Sequence, residues 1–308
     1  MVYLRSIQIS GTRKIIMIDT VDVSSHRREG RNSTAMISVI MPAFNEGKKI
    51  RANLIEAIDT FRSLGHPFEL IVVNDGSTDD TGNDVHKVEL EHSEVILVTY
   101  TRNGGKGNAL KEGWKYAHGD LVTFVDADLE LHPRQLNMFL DEMEKKRVDI
   151  VIGSKRHPES IIHYPLKRKI LSKCYNLLIR GLFQCNLTDT QPGLKLFKRE
   201  VLAKEFPKVF VKRYAFDLEL LLNSLKDGYT IAEVPIMIDY VRENGGRIKL
   251  KDVGRIYKDT MGIFFRIKLT HFYEAPKKEI EPSIEPTSCA NADKIGNQTI
   301  QSQTVPKM

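Results

Sequence analysis

The chain has 308 residues, 46 Lys plus Arg against 40 Asp plus Glu, and a formal net charge of +6. Its 41% hydrophobic and 28% charged residues are a globular balance with ample length for a buried core, which excludes a disordered or fibrous chain. No apolar run approaches the ~20 residues of a membrane-spanning helix; Arg5, Arg13 and Lys14 interrupt any signal-peptide layout; and Cys174, Cys185 and Cys289 make neither a disulfide framework nor a metal-ligand spacing, as expected of a reducing compartment.

Residues 1–36 read as an N-terminal extension, with mixed alternation followed by a polar, Arg-rich stretch. Met36 directly precedes the first strong strand and is therefore a candidate start of the functional chain, which N-terminal sequencing of the native protein tests. Next, residues 37–41 (Ile-Ser-Val-Ile-Met) predict a buried strand, and residues 48–64 a helix with Ile50, Leu54, Ile58 and Phe61 at helical spacing. Strands are predicted at 69–74, 95–99, 121–125 and 148–153. Helices are predicted from Thr81, over 106–116, and over 133–145 with Pro133 in the first turn. Near-continuous apolar strands separated by helices imply a mostly parallel α/β sheet with helices on both faces. Ligands of such sheets bind beyond the carboxyl ends of the strands. The domain boundaries expected are 1–36, 37–249, an amphipathic basic helix over 250–273, and a polar, Pro-containing disordered tail over 274–308.

Charge is distributed unevenly. Residues 37–154 carry 13 basic and 20 acidic side chains, whereas 155–180 carry seven basic against Glu159, and 242–268 carry eight basic against three acidic. An acidic first half is thus followed by two basic segments, each either a solvated helix face or a surface for an anionic partner.

The loops after the strands hold the chemistry. Asp126-Ala127-Asp128 leaves an apolar strand with two carboxylates two residues apart. Such a pair can share one hard divalent cation, Mg²⁺ or Mn²⁺, with a substrate diphosphate, and Glu130 can add a third oxygen. Asp75 opens Asp75-Gly76-Ser77-Thr78-Asp79-Asp80-Thr81 and can accept hydrogen bonds from a base or ribose, while Asp79 and Asp80 suit a helix N-terminus. Asn103-Gly104-Gly105-Lys106-Gly107 offers backbone N–H groups and a lysine to a phosphate. It fits neither a P-loop nor Gly-x-Gly-x-x-Gly, which excludes those nucleotide-binding loops. No Ser-His-Asp set is evident, and the nine histidines are dispersed.

Pro42-Ala43-Phe44-Asn45-Glu46, Asn74-Asp75-Gly76-Ser77-Thr78-Asp79-Asp80-Thr81, Asn103-Gly104-Gly105-Lys106-Gly107 and Asp126-Ala127-Asp128-Leu129-Glu130, in this order, resemble the family 2 inverting glycosyltransferases of the Rossmann-like GT-A fold. The segment from Leu166 to Lys173, Asp189-Thr190-Gln191-Pro192-Gly193-Leu194-Lys195-Leu196-Phe197, Ala215-Phe216-Asp217-Leu218-Glu219 and Glu233-Val234-Pro235 are similar to dolichyl-phosphate mannose and glucose synthases. The resemblance implies that Pro42, Ala43, Asn45, Glu46, Asp75, Lys106 and Asp126 contact the nucleotide sugar, UDP-glucose or GDP-mannose. It further implies that Asp126 and Asp128, with Glu130, hold the metal. Lys155, Arg156, Arg168, Gln191 and Lys249 are implied to meet the phosphate of a dolichyl or polyprenyl acceptor, with Asp189 and Arg168 catalytic beside the metal pair. Glu130 stands where the family often has Gln, and Ile248 replaces the Ser of a motif around Lys249.

The mechanism implied needs no strong base, because a lipid phosphate is already ionised near neutrality. The cations Lys155, Arg156 and Arg168 would align it with the donor. The helical stripes through Leu166, Tyr175 and Leu178 and through Val253, Ile256, Tyr257 and Phe264 carry basic flanks. They suit either the core or a membrane interface. The expectation is a peripheral enzyme at the cytoplasmic membrane face, with a membrane-anchored partner as an option and no nucleic acid, since no RNA- or DNA-binding motif accompanies the charge. Two alternatives compete. One is a family 2 enzyme acting on a hydroxyl acceptor in polysaccharide or glycoprotein glycan synthesis, with Asp189 or Asp217 as base. The other is an inert sugar-nucleotide or lipid-binding subunit, against which the Asp126/Asp128 pair argues.

Overall fold

Apolar segments that alternate with amphipathic helices can hide both faces of a sheet, and this is what the chain does. The computed structural model describes residues 7–9, 12–14, 35–47, 49–162, 166–185, 187–238, 250–270 and 272–274. The tail expected over 274–308 and Lys249 lie outside the described residues, apart from Glu274. A short hairpin pairs β1 (Ile7–Ile9) with β2 (Thr12–Lys14). The main body then runs β3 (Ile37–Ala43), α1 (Ile50–Ser63), β4 (Phe68–Asp75), α2 (Thr81–Glu91), β5 (Val95–Tyr100), α3 (Lys106–Trp114) and β6 (Leu121–Phe124). It continues through α4 (Leu136–Lys146), β7 (Ile150–Ser154), β8 (Ile161–Ile162), α5 (Leu166–Phe183), β9 (Lys195–Lys198) and α6 (Arg199–Glu205). It closes with α7 (Phe216–Lys226), β10 (Ile231–Pro235), β11 (Met237–Ile238) and α8 (Leu250–Phe264), which runs on as a π-turn over Phe265–Leu269.

The sheet has seven strands in the order β10-β7-β9-β6-β3-β4-β5. All neighbours are parallel except β9, which is antiparallel to both β6 and β7. The mostly parallel sheet read from the sequence is therefore present, but the fourth and fifth predicted strands are not neighbours. The strand Lys195–Lys198 separates them. Because β9 runs backwards, the segment before it emerges at the edge where β6 and β7 end. That segment is the Asp189-to-Leu194 loop, which only resemblance had tied to the site.

Two apolar layers flank the sheet. One joins Leu54 and Ile58 of α1, Val85 of α2 and Phe139 of α4 to Val39 and Val72. The other joins Leu110 of α3, Ile179 of α5, Leu202 of α6, Leu221 of α7 and Ile263 of α8 to Ile40, Ile71 and Phe197. Each fully buried Leu, Ile or Phe contributes ~1.5–3 kcal/mol, so both layers hold the helices that carry the loops. Boundaries follow local chemistry. Arg147 in the left-handed region (φ 53) ends α4, and Asp149 bonds Thr230, so β7 starts at Ile150 rather than at 148. Pro133 opens a 3₁₀ turn, whose first N–H groups include Arg134 N bonded to the His132 side chain, before α4 proper begins.

α8 packs part of its amphipathic face against the body. Thr260 and Ile263 are fully buried, Tyr175 Oη bonds Thr260 Oγ1 at 3.0 Å, and Phe183 meets Phe264 edge-on with centroids 6.0 Å apart. Beyond it, Arg266 donates to the buried Glu219 Oε1 at 2.6 Å, while Glu219 Oε2 accepts from Phe210 N and Val211 N. Glu219 thereby ties the chain after α8 to α7.

Candidate active site

The carboxyl ends of β3, β4, β5, β6 and β7 bring the predicted loops together. After β3, Asn45 takes a left-handed backbone (φ 55). Its side chain accepts from Thr78 N at 2.9 Å and its own N–H donates to Ser77 Oγ, while Glu46 N donates to Thr81 Oγ1 at 2.8 Å. The first two loops are thus laced through side chains that a sequence reading treats as separate motifs. Asp79 belongs to this lacing, accepting from Gly47 N and Thr81 N.

Asp75, expected as a nucleotide contact, is 3% exposed and organises the glycine turn. Its carboxylate accepts from Gly104 N at 2.7 Å, Gly105 N at 2.9 Å, Asn103 Nδ2 and Tyr100 Oη. Burial and then the Asp75 carboxylate push the Tyr100 phenol well above its ordinary range, so Tyr100 stays a donor. Gly105 has φ +92, and a Cβ there would lie 2.8 Å from Lys212 O. Only glycine fits this turn.

Lys106 starts α3, and its ammonium sits 2.6 Å from Asp126 Oδ1. Burial lowers the ammonium's pKa, but the carboxylates of Asp126, Asp217 and Asp128 outweigh that and hold it above the lysine range. This lysine, expected from sequence to meet a phosphate, is bonded to the first carboxylate of the Asp126-Ala127-Asp128 motif. Asp128 Oδ1 accepts from Glu130 N at 3.1 Å, which shapes the turn after β6. No group of three or more His, Cys, Asp or Glu side chains able to hold a metal occurs among the described residues. Asp126 and Asp128 nevertheless fit a hard cation. They offer oxygen donors, Asp126 already accepts the Lys106 ammonium, and Mg²⁺ or Mn²⁺ commonly uses one or two carboxylates with substrate phosphates completing the shell.

The loop before β9 packs directly on this pair. A Cβ on Gly193 would fall 2.2 Å from Asp126 Oδ2, so the glycine is required by close approach. Beneath it, Lys195 is fully buried, with Nζ 2.9 Å from Asp217 Oδ1 and also donating to Pro192 O. Burial lowers the Lys195 pKa against the opposing pull of Asp217. Sequence reasoning missed Lys195. The four-residue β9 that Lys195 opens gave no periodicity signal to mark it.

On the β7 side, Asp189 is 4% exposed and gathers cations. Lys155 Nζ lies 3.3 Å and Arg156 Nη1 3.8 Å from its carboxylate, which also accepts from Lys155 N and Gln191 N. The Arg156 guanidinium additionally donates to Ser172 O at 2.6 Å and Thr188 O at 3.3 Å, binding the β7 loop to α5. Arg168 lies in α5 with its side chain outside the described residues. The two carboxylates held in reserve as bases, Asp189 and Asp217, are both buried and engaged by cations.

Between these groups and the two amphipathic helices opens a cavity of ≈ 380 Å³. Asp126, Glu130, Lys155 and Gln191 line one part; Tyr175 and Leu178 of α5 and Val253, Ile256 and Tyr257 of α8 line the rest. Burial pushes the Tyr175 phenol up to about 12, so it is protonated near neutral pH.

Residues 38–206, more than half of the chain, match the family model described as glycosyl transferase family 2. The chain belongs to glycosyl transferase family 2. It is a glycosyltransferase. Among curated relatives, a dolichyl-phosphate beta-glucosyltransferase of Trichomonas vaginalis is 32% identical over 255 residues, covering 77% of this chain and 74% of that protein. A dolichyl-phosphate beta-glucosyltransferase of Dictyostelium discoideum is 32% identical over 247 residues, covering 76% and 75%. Among solved structures, glucosyl-3-phosphoglycerate synthase from Mycobacterium tuberculosis, in complex with Mn²⁺, UDP-glucose and phosphoglyceric acid, matches with a TM-score of 0.54 and 22% identity, covering 75% of this chain and 79% of that one. That structural likeness shows the shared glycosyltransferase fold.

Proposed function

We propose that this family 2 enzyme transfers glucose from UDP-glucose to the phosphate of dolichyl phosphate, with inversion, at the cytoplasmic face of a membrane. The observation that carries the reading is the cavity that joins Asp126 and Lys155 to apolar faces of α5 and α8. A phosphate headed by a long hydrocarbon needs cations at one end and an apolar wall behind them. The names of the relatives from Trichomonas vaginalis and Dictyostelium discoideum favour glucose over mannose. Among the described residues no helix is long and apolar enough to cross a membrane. Exposed Leu177, Tyr257, Phe265 and Leu269, flanked by basic residues, suit a peripheral membrane contact.

In this mechanism the loops of β3, β4 and the glycine turn, with Pro42, Ala43, Asn45, Glu46 and Asp75, form the nucleotide site, Asp75 acting through the backbone it fixes. Asp126 and Asp128, with Glu130, would hold Mg²⁺ or Mn²⁺, which neutralises charge on the departing diphosphate. Lys106 is released from Asp126 to face the donor phosphates. Lys155, with Arg168, Gln191 and Lys249, receives the acceptor phosphate, and Asp189 and Arg156 hold Lys155 in place. An oxygen of the phosphate, whose second pKa is ~6, attacks the anomeric carbon. The bond to UDP breaks with its electron pair leaving on UDP, and an α-linked donor becomes a β-linked product. No proton has to be abstracted, in keeping with the paired state of Asp189 and Asp217. Alignment of two bound anions supplies much of the rate, on a scale of roughly 7–11 kcal/mol for well-oriented reactants.

A panel of labelled UDP-glucose and GDP-mannose with dolichyl phosphate and Mn²⁺ tests this. Organic-extractable, acid-labile product from UDP-glucose is expected. Label confined to aqueous or polymeric products would sink the assignment.

A further inference from the structure

Lys195 is the first residue of β9 and is fully buried, a costly position for an ammonium unless each of its interactions is made. Its register is informative. Lys195 pairs with Phe124 in β6 and with Ile152 in β7, just short of Asp126 on one side and Lys155 on the other. The turn that precedes it therefore emerges between the donor loop and the acceptor loop. Within that turn, Pro192 O accepts from Lys195 Nζ, Gly193 abuts the Asp126 carboxylate, and Gln191 faces the cavity. Asp217 on α7 balances the charge from below at 2.9 Å.

We propose that Lys195 is a positioning residue for glycosyl transfer: by holding the Pro192 carbonyl, it fixes the 191–193 turn that backs Asp126 and presents Gln191 to the acceptor. The proposal rests on the transfer reading above. A buried pair that serves stability alone can be exchanged for uncharged groups of similar size without harm. A tether to a carbonyl cannot, because methionine has no proton to donate.

The test compares the wild type with Lys195→Met and with Lys195→Met/Asp217→Asn, the second of which removes the stranded carboxylate. The double variant is expected to recover the melting temperature lost by the single one. It should nevertheless keep fast hydrogen–deuterium exchange across residues 189–194. Its kcat should fall ~100-fold, the scale of a misplaced reacting group, while UDP binding in the presence of Mn²⁺ weakens far less. Wild-type kcat in the double variant, wild-type exchange across 189–194, or UDP affinity falling in step with kcat would each overturn the proposal. A wild-type protein that binds no UDP and transfers no sugar would instead refute the proposed function, and the exchange comparison would still decide the tether.

Discussion

The proposed donor and acceptor sides of the site are built differently. On the donor side, β3, β4, β5 and β6 end in loops whose own polar residues hold one another. Asn45 holds Ser77 and Thr78, Asp75 holds the glycine turn, and Lys106 reaches Asp126. On the acceptor side, distant segments must converge: the β7 loop, the turn before β9, α5 and α8. The donor side is a set of local motifs placed by a parallel sheet. The acceptor side is a product of tertiary packing, and its cations divide between Lys155, which lines the cavity, and Arg156, which braces the walls.

The largest break should come at the metal pair. Asp128→Ala is expected to lower transfer by ~100-fold or more, as for loss of one preorganised charge-stabilising group, with circular dichroism unchanged. Full activity in this variant would place the cation elsewhere. Next, Gly193→Ala drives a methyl group into Asp126 and so couples the two sides. It should raise the Mn²⁺ concentration needed for half-maximal rate while acceptor KM changes less; an unaltered Mn²⁺ dependence would separate the β9 loop from the donor side.

Lys155 and Arg156 sharpen the contrast within the acceptor side. Lys155→Ala should raise the acceptor KM ~10-fold or more and leave the donor KM near wild type, given ~1.5–3 kcal/mol for a hydrogen bond to a charged group. Arg156→Ala should instead lower the melting temperature, since its bonds to Ser172 and Thr188 are lost. Equal effects on acceptor KM from both variants would erase the division of labour.

The smallest effect lies far from both sides and serves as a control. Burial opposes ionisation of Asp227, but Lys208 and Lys204 overcome it and lower its pKa from 3.8 to about 2. A depressed folded-state pKa adds stability above the unfolded value, and that stability is lost as pH falls from 3.8 toward 2. The melting-temperature advantage of wild type over Asp227→Asn should therefore be present at neutral pH and shrink through that window, with no change in transfer. An advantage that grows on acidification would contradict the assignment.

Legibility in the sequence follows the same division. The donor loops were readable because each polar motif directly follows an apolar strand, so strand periodicity placed Asp75, Lys106 and Asp126 at one sheet edge without tertiary knowledge. What those side chains bond to was not readable: Asp75 bonds its neighbouring turn and Lys106 bonds Asp126. On the acceptor side, the four-residue β9 is too short for a periodicity signal, and its reversed direction depends on pairing with both β6 and β7. Lys195 was hidden for that reason. The helical stripes of α5 and α8 were legible as amphipathic. Their division between core contacts such as Ile179 and Ile263 and cavity walls such as Leu178 and Ile256 depends on how the two helices meet.

The central claim is that a phosphate, rather than a hydroxyl activated by a base, attacks the sugar. Its most direct test offers the purified enzyme UDP-glucose and Mn²⁺ with either dolichyl phosphate or dolichol, and determines the anomeric configuration of any glucolipid by NMR. A β-linked product formed with dolichyl phosphate and absent with dolichol is the expected result. Transfer to dolichol at a comparable rate, or an α-linked product, would contradict the account.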